Sequence, residues 1–203
     1  MIDHQYKCIY IHINKCGGRT LDRLFKANAR GHKSILSYQK AYPKKFDSYF
    51  KFSFTRNPWD KMVSFYHYHA RRGWPFNWDW NKNNAPNFEN FIKIIHTYSE
   101  EKQKKIWPKK QVRNHKTTTM RMSNHLDWLC SDSGDILVDF IGKLENFQSD
   151  FDQVCGKIGM PKRKLPHKNK SEHKQYRTYY NDETAQIVAE RFSKDIDYFG
   201  YQF

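Results

Sequence analysis

No G-x-x-x-x-G-K-[ST] occurs anywhere in the chain, which excludes the usual nucleoside-triphosphate loop. No apolar run approaches the ~20 residues that a helical membrane span needs, and no signal-peptide pattern precedes the first strand-like segment. Cysteine is scarce: Cys8, Cys16, Cys130 and Cys155 form no C-x-x-C pair, so neither a zinc site nor a disulfide framework is indicated. No cluster of carboxylates suggests a metal centre, and none is expected. These absences describe a reduced, cytoplasmic chain, although a luminal domain trimmed of an N-terminal anchor would read the same way. Acid is also in deficit, with 21 Asp+Glu against 36 Lys+Arg and a formal net charge of +15. That surplus points to an anionic partner: nucleic acid, an acidic membrane surface or a polyanionic substrate. Aromatic residues at 17% exclude a disordered basic tail.

What is present reads as one α/β domain over residues 1–203, with an aromatic-rich insertion at about 73–128. The segment "KCIYIHI" (7–13) has the β-branched and aromatic content of a strand buried on both faces. After a glycine-containing loop, Leu21, Leu24 and Phe25 repeat at helical spacing. A second strand is expected at about His32 to Leu36 and a third at Phe50 to Thr55. Asn57-Pro58 then opens a helix, Asn57 as cap and Pro58 in the first turn, which runs to Gly73. Phe88, Phe91, Ile92 and Ile95 mark another helical face. "DILVDFIG" (135–142) reads as a strand, followed by a helix that Gly159 ends. One last helix carries Ala185, Val188, Phe192, Ile196 and Phe199 and stops at Gly200. Strands alternating with helices predict a mostly parallel sheet.

Two places look able to hold anions. In "INKCGGRTL" (13–21), Gly17 and Gly18 permit close backbone approach and the next helix begins with unpaired N–H groups. Lys15 adds a charge, and Arg19 and Thr20 add donors. A tight strand-to-helix turn that merely needs glycines would look the same. In "TRNPWDKMVS" (55–64), Arg56 ends a strand and Ser64 follows eight residues later on a helix. Ligands of open α/β sheets bind beyond the carboxyl ends of strands, which would set Arg56 beside the first loop. An arginine tied to a helix end is the plainer reading of that motif alone.

Together, "IHINKCGGRTL", "FSFTRNPWDKMVSFY", "VDFIGKLENFQSDF", "LPHKNKS" and "DIDYFGYQF" resemble the Golgi-type carbohydrate sulfotransferases and their bacterial relatives. The resemblance implies a three-layer, P-loop-like α/β fold and 3′-phosphoadenosine 5′-phosphosulfate (PAPS) as donor. It places Lys15, Cys16, Gly17, Gly18, Arg19 and Thr20 around the 5′-phosphosulfate, and Arg56 and Ser64 on the 3′-phosphate. The family often carries Pro and Thr beside the lysine, where this chain has Asn14 and Cys16; the Cys16 thiol itself reads as buried. "RGHKSIL" (30–36) resembles a Gly-His segment of heparan sulfate 2-O-sulfotransferases, which makes His32 the general base and Lys15 its catalytic counterpart at the leaving group. "LPHKNKS" would form a basic flap over the nucleotide.

The acceptor is open: a polysaccharide hydroxyl, a lipid-linked sugar or a small metabolite, anionic or not, would each fit, as would an amine. Trp74, Phe76, Trp78 and Trp80 could stack on sugars or fill a small core. His12, His67 and His69 compete with His32, and one of the last two is expected to be exposed. Rival functions are a nucleic-acid-binding module, suggested by "KQKKIWPKKQVRNHK" without any recognised motif, and a nucleotide kinase, which lacks its phosphate loop. No nucleic-acid partner is expected.

Overall fold

Four strands build one sheet in the computed structural model, which describes residues 1–25, 32–72, 87–97, 122–166 and 174–203. The strands are β1 (Ile2–Asp3), β2 (Cys8–Ile11), β3 (Phe50–Thr55) and β4 (Phe140–Lys143), adjacent in that order. β1 pairs antiparallel with β2, whereas β2–β3 and β3–β4 are parallel. The mixed α/β class with a mostly parallel sheet is therefore as the sequence implies. The described residues divide into two compact units, Met1–Arg56 with His125–Lys170, and Asn57–Asn124 with Ser171–Phe203.

The first unit holds the sheet with helices α1 (Gly18–Leu24), α2 (Ile35–Ala41), α3 (Pro43–Ser48), the short α6 (Leu126–Leu129) and α7 (Phe147–Ile158). All four β2 side chains are buried, which is why "CIYI" is apolar throughout; the last four of β3 are buried too, with the Ser53 and Thr55 hydroxyls donating to the Ile11 and Gly142 carbonyls at 2.8 and 3.3 Å. α7 packs on β3 and β4. It ends where Gly159 adopts φ 65°, and the Met160 N–H closes back on the Cys155 carbonyl at 2.9 Å.

In the second unit, α4 (Pro58–Arg72), α5 (Phe88–Thr97), α8 (Asp182–Arg191) and α9 (Ser193–Phe199) surround a core of Trp59, Met62, Val63, Phe65, Phe91 and Phe192. Asn57 caps α4: its Oδ1 accepts from the Trp59 and Asp60 N–H groups at 3.0 and 3.3 Å. No helix among the described residues is long and apolar enough to cross a membrane.

Three expectations change. His32 to Leu36 is not a strand: residues 32–34 carry no sheet pairing, and α2 begins at Ile35. Ile35 and Tyr38 bury together, three residues apart, so helical spacing outweighs the β-like run. The strand at 135–142 pairs in the sheet only from Phe140, because Ile136 bridges back to Cys130 and Asp139 exchanges hydrogen bonds with the Lys51 backbone. The last helix is two. Asn124 spans the break at Phe192, its Nδ2 donating to the Arg191 carbonyl at 3.3 Å and its Oδ1 accepting from the Asp195 N–H at 3.2 Å. Those are the backbone groups a helix end leaves unsatisfied. The tryptophan-rich stretch of the insertion, "KQKKIWPKKQVRNHK" and residues 167–171 of the flap lie outside the described residues.

Candidate active site

The site is assembled where β2 gives way to α1. Beyond Ile11, the last β2 residue in the ladder, the chain turns through His12, Ile13, Asn14, Lys15, Cys16 and Gly17 before Gly18 opens the helix. Lys15 and Gly17 both have left-handed backbone, φ 66° and 76°. Turns with such residues direct successive N–H groups to one side, the arrangement that receives anions. Left-handed backbone at a lysine costs on the order of 1 kcal/mol and persists only where surroundings impose it. Part of that imposition comes from Arg56 at the end of β3, whose Nη1 donates to the Lys15 carbonyl at 3.1 Å. Lys15 and Arg56, forty-one residues apart, thus meet within one unit.

Each glycine has a packing reason. A Cβ on Gly17 would lie 2.7 Å from the Phe147 ring, and one on Gly18 would lie 1.9 Å from His12 Nε2. The glycines are therefore required by the turn whether or not a ligand sits there. What distinguishes the loop as a site is the half-buried Lys15 with Arg56 against it. Arg19 is exposed on the first turn of α1, and Thr20 is buried, with its N–H on the Gly17 carbonyl at 2.9 Å. Cys16 is fully buried, its Sγ 3.5 Å from the Asn14 carbonyl and 3.6 Å from His125 Nε2. Its thiol faces the interior, so only its backbone belongs to the loop's outer face. No local signal could have paired Cys16 with His125, 109 residues away.

His32 lies beside this turn, although not on a strand. Its Nδ1 is 2.8 Å from the His12 carbonyl, its ring is 4.4 Å from the His12 ring edge-on, and Trp128 stands 6.1 Å off. A carbonyl only accepts, so Nδ1 carries the proton and the neutral ring keeps its lone pair on Nε2. His12 is itself held, Nδ1 to Asp22 Oδ2 of α1 at 3.2 Å. Asp22 was not among the candidates read from the sequence; its spacing from His12 matches no catalytic motif. Ser64 sits on α4 in the second unit, buried at 6% exposure. His67 contacts the Tyr179 hydroxyl at 2.9 Å and His69 is buried, so neither is exposed as expected.

A strand–turn–helix unit with a lysine, an arginine and an imidazole nearby can favour negative charge at the turn and accept a proton beside it. The model of the sulfotransferase family matches residues 1–202, and the chain belongs to that family. A protein of Archaeoglobus fulgidus described as uncharacterized is 32% identical over 118 residues, 58% of this chain and 74% of the archaeal one. The crystal structure of a sulfotransferase from Alicyclobacillus acidocaldarius is 16% identical, with a TM-score of 0.41, over 91% of this chain and 72% of that one.

Proposed function

We propose that this sulfotransferase moves the sulfuryl group of PAPS to a hydroxyl of a carbohydrate or small-molecule acceptor, with His32 as general base. The observation that supports this most is the Nδ1-to-carbonyl bond of His32, because it selects the tautomer a base needs in a place adjoining the donor loop. The acceptor O–H gives its proton to His32 Nε2 as the acceptor oxygen bonds to sulfur. The bond from sulfur to the bridging phosphate oxygen breaks, and 3′-phosphoadenosine 5′-phosphate leaves. Lys15 and the N–H groups at the start of α1 take up the charge that grows on that bridging oxygen. Arg56 takes the 3′-phosphate, and the resemblance assigns the Ser64 hydroxyl to the same group.

The net charge of +15 suits an anionic donor and an acceptor that is itself anionic. Incubation with labelled PAPS and a panel of saccharide, metabolite and amine acceptors, read by product mass spectrometry, tests the activity. His32→Ala tests the base: nucleotide binding should persist while transfer falls by a factor of ~10²–10⁴. Wild-type turnover should rise with pH as the imidazole loses its proton. Near-normal turnover in His32→Ala would remove the base assignment.

A further inference from the structure

The His12 carbonyl that orients His32 lies past the end of the β2–β3 ladder, whose last pair is Ile11 with Ser53. The sheet therefore does not hold it. The Ile13 N–H bonds the Ile11 carbonyl across His12 at 3.1 Å, and three contacts of the His12 ring add to that. Its Nδ1 meets Asp22 Oδ2 at 3.2 Å. Its Nε2 fills the space over Gly18, where even a methyl group would lie 1.9 Å away. Its ring stacks at 5.8 Å on Tyr10, which is fully buried. The other Asp22 oxygen, Oδ1, is buried with no hydrogen-bond partner among the described residues. The nearest polar neighbour of Asp22 is His12, and the carboxylate charge also acts on the Met1 ammonium and the Tyr10 and Tyr38 hydroxyls.

We propose that Asp22 is a positioning residue which, through the His12 ring and carbonyl, sets the orientation of His32 relative to the Lys15–Gly18 loop. A carboxylate only accepts, so Asp22 at 3.2 Å favours a proton on His12 Nδ1. The ring so held lies on the first residue of α1, while the main chain of the same residue holds His32. One residue thus gauges the distance between the donor loop and the imidazole. Outer partners that fix histidine tautomers in this way commonly matter by one to two orders of magnitude in metalloenzymes, where they are best measured. The functional consequence rests on His32 being the base; the geometric claim does not.

The test is the nitrogen NMR spectrum of the imidazoles in the whole protein, at a pH where they are neutral, with turnover measured alongside. Wild type should show His12 and His32 each protonated at Nδ1. Asp22→Ala removes the acceptor while favouring the helix; His32 should then populate both tautomers, and turnover should fall about tenfold, the lower end for such partners. Asp22→Asn keeps an oxygen able to accept from Nδ1 and should restore the single tautomer and recover turnover. Unchanged His32 signals in Asp22→Ala would overturn the proposal, as would a loss of turnover that Asp22→Asn fails to recover. Were His32→Ala to keep its activity, the base assignment alone would fail, and the tautomer measurement would still decide the positioning.

Discussion

Replacing Gly18 by alanine sets two opposed effects against each other. Gly18 is the first residue of α1 and its φ is not in the left-handed region, so alanine fits the backbone and should gain ~0.5–1 kcal/mol from the unfolded chain's lost freedom. Against that, the new Cβ would stand 1.9, 2.0 and 2.5 Å from three atoms of the His12 ring. The ring cannot yield cheaply: it is braced by Asp22 on one side and by Tyr10 behind. Overpacking of this kind costs ~1–3 kcal/mol. The clash should win, leaving a net loss of roughly 1–2 kcal/mol, or about 2–4 °C in unfolding midpoint for each kcal/mol at this chain length. Thermal unfolding of Gly18→Ala, His12→Ala and the double variant gives the coupling. In the His12→Ala background the space is vacant, and Gly18→Ala should become neutral or stabilising. Refutation would be a Gly18→Ala protein as stable as wild type, or a double variant in which the two losses simply add.

Arg56→Ala removes a charge-assisted contact, which commonly costs ~1.5–3 kcal/mol; calorimetry should show 3′-phosphoadenosine 5′-phosphate weakened far more than AMP, and equal weakening would displace the 3′-phosphate from Arg56. Lys15→Ala should lower turnover more than nucleotide affinity; unchanged turnover at saturating PAPS would leave Lys15 a merely electrostatic role. Burial, and then Asp3, push the Cys8 thiol up to about 12 from 9.0. A raised pKa gives stability that is complete below the unfolded value and is lost as pH climbs from about 9 through 12. Alkylation mapped by mass spectrometry at pH ~9, where an unperturbed thiol is about half ionised, should therefore spare Cys8 and reach the half-buried Cys130 first.

Features that act over a few residues were legible in the sequence. The strand–loop–helix from Cys8 to Leu24, the Asn57 cap and the stops at Gly159 and Gly200 follow from capping oxygens and left-handed glycines, whose energies are local. The paired motifs around Lys15 and Arg56 likewise carried the family resemblance. The tertiary structure decided what depends on partners distant in sequence. Asn124 bridges the break in the last helix from outside it, α2 packs on α6 where a β-like run was expected, and His125 is the distant partner of the Cys16 thiol. His32 illustrates the division best: its residue type suggested a base, but its tautomer is set by a carbonyl twenty residues earlier, which Asp22 steadies through the His12 ring. Such bonds form only when folding brings two segments within about 3 Å, and no spacing along the chain encodes that distance.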